Sequence, residues 1–373
     1  MMAAADIRWR QLDVLQILAA LGLTCLGVIL VTSATWQYFD HPTLLRNTWF
    51  LKQVLAVVVG WVLMIGCASM HPRLVRALAA PIYVLSLGAL GVVLLIGRGA
   101  AEFGAQRWIE IGGLQVQPSE PAKLALVVAL ARVLSDGVPR ARALIWSSVI
   151  LAVQVLLIYL QPDLGTALSF FAIWFGMVFL AGTPRKYLAA IGGIFILATP
   201  VLWLALRDYM RARLLIFLNP QADALGQGYN ILQAQISIGS GGMFGKGLLE
   251  GTQTQLRYLR VSQSDFIFSV LGEELGFIGA LVLFAIFLIL LFRILHAYDV
   301  TNDRFHRLLC AGVASMIAFQ VITNVGSNVA LTPVVGIPLP LVSYGGSALI
   351  TQLAALGLVQ GGLLRQRRYR FET

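Results

Sequence analysis

Ten long apolar stretches leave this chain few ways to fold; they lie at about 13–33, 50–68, 78–97, 119–134, 143–160, 165–182, 188–206, 265–292, 308–330 and 345–364. Roughly 20 apolar residues are what an α-helix needs to cross about 30 Å of hydrocarbon. Inside a bilayer the helix also satisfies every backbone N–H and C=O within one segment. Charge content agrees: 12% of the residues are charged and 58% hydrophobic, where soluble domains carry about 25% charged residues. The expected architecture is all-α: a polytopic membrane protein of about ten transmembrane helices, forming a single integral domain over 1–373. The run at 14–32 is too long for a signal-peptide core and is expected to be retained as the first helix.

Basic residues recur in alternate connections: Arg8 and Arg10; Arg73 and Arg76; Arg132, Arg140 and Arg142; Arg185 and Lys186; Arg293, Arg304 and Arg307; Arg365, Arg367, Arg368 and Arg370. By the positive-inside rule these segments are cytoplasmic, as are both termini. The net charge of +10 is then mainly a topology signal, and RQRRYR at the C-terminus suits anionic membrane lipids better than nucleic acid. Cys25, Cys67 and Cys310 fall within expected spans, odd in number and scattered, so they read as packing residues rather than disulfides.

The other face differs. Segment 98–118, which holds Arg107, is too polar to span, and its WIEIGGLQVQ suggests a structured, re-entrant element. Residues 207–264 form a large extracytoplasmic loop whose LLIFL and YNILQAQISI patterns suggest amphipathic helices lying on the membrane; loops this long in a compact fold are commonly functional or disordered. The connection 331–347, with Ser343, is rich in Pro and Gly, as befits irregular backbone lining a cavity. GSGGMFGKG at 239–247 imitates a phosphate-binding loop but has Ser240 where glycine is needed and Gly247 in place of Ser or Thr, so no nucleotide site is expected.

Asp265, in SDFIFSVLGEELGF at 264–277, is the sharpest candidate for chemistry. A carboxylate where a span meets water is costly to desolvate, which favours a function; the alternative is a solvated N-cap. Glu273 and Glu274 lie about 12–13 Å deeper along the same helix. They suit either an ion path or helix-packing contacts. Glu120 and Lys123, three apart on one helical face, form either a structural ion pair or part of the site, and Asp163 is either a turn residue or a wall of that site. No histidine accompanies these carboxylates, and no His/Cys set suggests zinc. Arg207, Arg211, Arg213, Lys246, Arg257 and Arg260 offer charge either to a diphosphate or to lipid headgroups. An outward-facing synthetic enzyme lacks nucleotide donors, so its substrate must arrive activated; a lipid-linked diphosphate sugar meets that condition.

QPSEPAK (117–123), PDLGTAL (162–168), GYNILQAQISIGSGGMFGKG (228–247), GTQTQL (251–256), SDFIFSVLGEELGF (264–277) and SNVALTPVVGIPLPLVSYGGSALIT (327–351) together resemble the shape, elongation, division and sporulation family of multi-span peptidoglycan polymerases. The short N-terminal tail and GTQTQL are more similar to its elongation (RodA) branch than to its division branch. The resemblance implies a ten-span fold in the bacterial cytoplasmic membrane, an extracytoplasmic cleft, and polymerisation of lipid II into polyprenyl-diphosphate-linked glycan. It also implies a class B penicillin-binding protein as transpeptidase partner. Matched by motif, Asp265 takes the place of the essential aspartate, Glu120 and Lys123 that of the conserved pair, and Asp163 that of the PDLGTA aspartate. Gln263-Ser264 stand where family members often have His-Thr, and Arg260 where proline is common.

The expected reaction is attack of an acceptor sugar hydroxyl on the anomeric carbon of a donor, with polyprenyl diphosphate leaving. Asp265 would be the general base or the ligand of a divalent cation, Mg or Mn, at the diphosphate. Arg107, Arg211, Arg213, Lys246 and Ser343 join Glu120, Lys123 and Asp163 as cleft candidates. Two rivals are a lipid II flippase and a non-catalytic scaffold for the transpeptidase; the first would call for inverted repeats, which the sequence does not display.

Overall fold

The computed structural model describes residues 12–38, 47–97, 107–111, 114–136, 140–206, 208–223 and 226–365. Arg8, Arg10, His41, Arg207 and the basic C-terminus beyond Arg365 lie outside the described residues. The elements are α1 (Val14–Thr35), α2 (Thr48–Ser69), α3 (Pro72–Ile96), β1 (Ile109–Ile111), β2 (Leu114–Val116), α4 (Ser119–Ser135), α5 (Arg140–Leu160) and α6 (Leu164–Leu180). They continue with α7 (Arg185–Ala205), α8 (Asp208–Leu218), α9 (Gln227–Ser240), α10 (Thr252–Gln255), α11 (Ile267–Val300), α12 (Arg304–Asn328) and α13 (Gly346–Leu363). Each apolar stretch of the sequence is thus occupied by a long helix. Seven of these, α1, α2, α3, α5, α11, α12 and α13, are long and apolar enough to cross a bilayer, and α6 is a shorter apolar helix. The chain is a helical multi-pass membrane protein.

Burial sorts the helices. In their apolar windows α13 is 83% and α12 72% buried, against 17% for α3, so α12 and α13 form the centre and α3 faces lipid. Water does not separate lipid-facing from core residues here, and close packing depends on small side chains instead. At Gly357 of α13, any Cβ would run into the Met64 carbonyl of α2. Polar caps fix the helix starts: Asn47 Oδ1 accepts from Phe50 N (3.0 Å) at α2, and Asp13 Oδ1 from Gln16 N (3.1 Å) at α1. The same Asp13 carboxylate binds Arg293 Nε of α11 at 2.7 Å.

The non-spanning segments take definite structure. WIEIGGLQVQ, expected to be structured, forms an antiparallel ribbon pairing Ile109 with Val116, Glu110 with Gln115 and Ile111 with Leu114. Alternating apolar residues on either side of a Gly-Gly pair are the usual signature of such a ribbon. The long connection between α7 and α11 does contain helices, and α9 buries Ile231, Ala234 and Ser237 as it packs on α11.

The glycine-rich segment after α9 has a structural explanation. α11 is broken at Gly276 (φ 66°, ψ −162°), which frees backbone groups on both sides of the break. The 239–247 segment satisfies them: Lys246 N and Gly247 N donate to the Glu273 and Glu274 carbonyls, each at 3.0 Å. In return Phe277 N donates to Gly242 O (2.9 Å) and Ile278 N to Met243 O (3.1 Å). Such a break is tolerated at membrane depth only when other protein groups complete the bonds. The backbones lie so close that a Cβ at Gly245 would strike the Glu274 carbonyl and one at Gly276 the Gly245 nitrogen.

Candidate functional site

The opening turn of α11 builds the site. α11 begins at Ile267, so Asp265 stands in the turn ahead of the span, half-buried. Its backbone is gripped from α12: Asn324 Nδ2 (3.0 Å) and Asn328 Nδ2 (2.9 Å) both donate to the Asp265 carbonyl. Asn328 Oδ1 in turn accepts from Ser269 N (3.1 Å) and Ser269 Oγ (2.6 Å), and Asn324 Nδ2 also reaches Ile337 O (2.9 Å). On the other side Ser343 Oγ donates to Ser264 O (2.6 Å) while accepting from Leu339 N (2.9 Å). Tyr344 N adds a bond to Gln263 O (2.8 Å). The Pro- and Gly-rich 331–345 connection is therefore fixed backbone, as the sequence suggested, and it is fastened to the aspartate turn.

The carboxylate itself is differently placed. It takes a hydrogen bond from Ser264 and feels Arg213, Arg107 and Asp163. Gly336 (φ 71°) sits beneath it, where a Cβ would lie 3.7 Å from Asp265 Oδ2. Burial pushes the carboxyl above its ordinary range; Arg213, Ser264 and Arg107 pull it back, and Asp163 adds to the rise. Desolvation disfavours the charged form and nearby cations favour it.

Asp163 is both turn residue and neighbour of the site. It caps α6, accepting from Thr166 N (3.1 Å) and Thr166 Oγ1 (2.8 Å), and lies 3.7 Å from Arg107 Nη1. Arg107 also donates from Nε to Gln161 O (3.4 Å) and from Nη2 to Pro162 O. A Cβ at Gly165 would strike the Val335 carbonyl, so the start of α6 abuts the 331–345 connection. Glu120 and Lys123 are paired at 2.8 Å with 4% and 2% exposure, in the first turn of α4. Gln117 N, just before it, donates to Ser347 Oγ in the first turn of α13 (3.0 Å).

Three candidates are engaged elsewhere. Arg211 donates to the Trp203 (3.1 Å) and Leu204 (2.7 Å) carbonyls at the end of α7, where a cation complements exposed carbonyls. Lys246 Nζ binds Glu273 Oε1 at 2.9 Å and Thr252 Oγ1 at 2.8 Å. Ser343 holds backbone, as above, and is buried. Glu273 is fully buried and accepts further from Thr252 Oγ1, Gln253 N, Thr254 N and Thr254 Oγ1 at 2.9–3.2 Å. Glu274 Oε1 accepts from Ser33 Oγ of α1 at 2.5 Å. Asn324 and Asn328 were missed by sequence reasoning although a signal was present: two amides four residues apart share one face of an apolar helix. Among the described residues no group of three or more His, Cys, Asp or Glu side chains gathers to hold a metal.

Comparison with known proteins places this arrangement. The FtsW/RodA/SpoVE model, described as a cell cycle protein, matches residues 13–367. The chain belongs to the FtsW/RodA/SpoVE family. Among its relatives, the peptidoglycan glycosyltransferase MrdB of Escherichia coli K12 is 36% identical over 351 residues, covering 93% of this chain and 92% of MrdB. The probable peptidoglycan glycosyltransferase FtsW of Geobacter metallireducens is 36% identical over 359 residues, 93% of each chain. A chain from a peptidoglycan synthase complex that coordinates polymerization and crosslinking superposes with a TM-score of 0.79 at 34% identity, covering 97% of this chain and all of that one. RodA of Thermus thermophilus superposes at 0.70 with 32% identity, over 97% and 99% of the two chains. The FtsW/RodA/SpoVE fold, helical and polytopic, is therefore the fold of this chain.

Proposed function

We propose that this FtsW/RodA/SpoVE member is the peptidoglycan glycosyltransferase of cell elongation, polymerising lipid II on the outer face of the bacterial cytoplasmic membrane. The observation that carries the reading is the Asp265 carboxylate, held by its backbone on three sides yet facing Gly336 and flanked by Arg213 and Arg107. Its family relatives named as glycosyltransferases support the reaction class. Ten crossings with both termini cytoplasmic follow from the alternation of basic connections, and put Asp265 outside.

In the reaction Asp265 takes the proton from an acceptor hydroxyl as that oxygen bonds to the donor's anomeric carbon. The carbon–oxygen bond to polyprenyl diphosphate breaks, and the charge developing on the leaving group falls to Arg213, with Arg107 positioned by Asp163. Positioned cations that meet developing charge are the strongest contribution such a site makes. Glu120 and Lys123, paired and buried, would neutralise one another beside the cleft. Asp265 would be the residue that holds a divalent cation, which would supply Lewis-acid support at the diphosphate. The partner is a class B penicillin-binding protein, a reading supported by the synthase complex whose chain this one resembles.

Reconstitution of the chain with such a partner and labelled lipid II tests this. Glycan polymer on a gel, lost in Asp265→Ala with the complex intact, is expected. Polymer equal in the variant would favour the scaffold reading, and lipid translocation without polymer would favour a flippase.

A further inference from the structure

Glu273 is far more heavily bonded than a carboxylate in helix packing needs. Its two oxygens receive Lys246 Nζ (2.9 Å), Thr252 Oγ1 (3.2 Å), Gln253 N (2.9 Å), Thr254 N (3.2 Å) and Thr254 Oγ1 (3.1 Å). It thereby caps α10 from outside and pairs with Lys246 at once, while fully buried. A Cβ at Gly251 would approach Glu273 Oε2 to 2.9 Å, so the GTQT turn fits against the carboxylate with no room to spare. One residue further, the backbone exchange across the Gly276 break binds 242–247 to the same stretch. Gly276 interrupts α11 between this stretch and the rest of the span, so the connection 239–256, bonded on both sides of the break, is what sets residues 267–275 against the span. Asp265 is the other end of that short helical piece.

We infer that Glu273 is a positioning residue for Asp265: by clasping the 242–254 segment it fixes the height and tilt of the 267–275 piece, and so the place of the aspartate against Gly336, Arg107 and Arg213. This rests on Asp265 being the catalytic residue. The Asn324, Asn328 and Ser343 bonds hold the near end of the piece at its backbone; Glu273 holds the far end about 12 Å away along the helix axis. Without the far hold the piece can tilt about its near end and turn the aspartate side chain with it, and a displacement of about 1 Å at a reacting group can lower a rate by about 10²-fold. Glu274 has a separate task, joining the piece to α1 through Ser33.

The test measures kcat and KM for lipid II polymerisation by the reconstituted complex, together with thermal unfolding and partner binding. Glu273→Ala is expected to lower kcat by about 10–100-fold with KM within about twofold, in protein that still folds and binds its partner. Glu273→Gln, which keeps an acceptor for the α10 N–H groups, should fall between wild type and alanine. The exchanged pair Lys246→Glu with Glu273→Lys should not recover activity, because a lysine cannot accept from Gln253 N and Thr254 N; recovery would reduce the clasp to an ion pair and overturn the inference. Unchanged kcat in folded Glu273→Ala, or a rise in KM alone, would overturn it too. Should Glu273→Ala fail to fold, Lys246→Met combined with Thr254→Val removes two donors and leaves the carboxylate, and the same kcat loss or its absence decides. Asp265→Asn run in parallel separates the two readings. Full activity there sinks the role of Asp265 itself, whereas an inactive Asp265→Asn beside a fully active Glu273→Ala sinks the positioning role alone.

Discussion

Asp265 and Glu273 stand at opposite ends of one short helical piece, and their surroundings could hardly differ more. Glu273 is fully buried, with five donors on its two oxygens. Asp265 is half-buried; its backbone carbonyl is gripped by two asparagines, while its carboxylate has Ser264 and the field of two arginines. A carboxylate saturated with donors has no lone pair to offer a substrate and a strong preference for one geometry. One that is fixed through its backbone, with its oxygens free of such a cage, can exchange a proton with something that arrives. Both lie in the same sequence motif, so motif membership does not tell chemistry from framework; the count of donors does.

The largest test of this contrast is Asp265→Asn. Loss of a general base lowers rates by about 10²–10⁴-fold, and polymer from labelled lipid II should fall at least that far. Stability should move the opposite way. Burial raises the folded-state value of Asp265 above its ordinary one, so this group's favourable contribution is complete at pH below the ordinary carboxylate value and is lost as pH rises through the raised folded value. At neutral pH the ionised aspartate therefore opposes folding, and Asp265→Asn should unfold at a higher temperature than wild type. An inactive variant with a lowered melting temperature would place Asp265 with Glu273 as a structural carboxylate.

Asn328→Ala comes next. It removes a donor from the Asp265 carbonyl and an acceptor from Ser269 N and Oγ. Buried groups left unsatisfied cost about 1–3 kcal/mol each, and a loosened turn should lower kcat by about tenfold or more. Thermal unfolding and turnover measured on the same preparation would check both. Gly276→Ala should act on stability and, through the 242–247 bonds that hold the 267–275 piece, on kcat as well. Its positive φ and the crowding by Gly245 N and Met243 exclude a side chain, so about 1–3 kcal/mol of stability should be lost.

Much of this was legible in the sequence, and the missing parts share a cause. The apolar stretches, Asp265 and the capping capacity of Asp163 are local properties of a few neighbouring residues. Lys246 illustrates the other kind: a lysine in a basic loop is indistinguishable in sequence from a phosphate ligand until the fold brings Glu273 to it across 27 residues. Arg211 is similar, since the open carbonyls of α7 that it satisfies are visible only once the chain has turned back. The glycines of 239–247 advertised a close backbone approach, but not whether phosphate or the broken α11 would make it. Asn324 and Asn328 could have been found, because amides on one face of a span have no water to satisfy them and so bond across to neighbouring protein.

The smallest effect concerns Arg213, the cation with the largest influence on Asp265. A general base works ionised, so the rate should climb with pH through the value at which Asp265 loses its proton, and that value is already raised by burial. Arg213 opposes the rise. In Arg213→Gln the opposition is gone, so the acid limb of kcat should shift to higher pH while the neutral-pH rate falls modestly, and KM should rise if the guanidinium also meets the diphosphate. The same substitution at Arg211, engaged with α7 carbonyls, should leave the limb in place. If both substitutions shift the limb equally, general surface potential sets the ionisation of Asp265. If neither does, the rate does not depend on the ionisation of this carboxylate, and the freedom that distinguishes it from Glu273 has no chemical consequence.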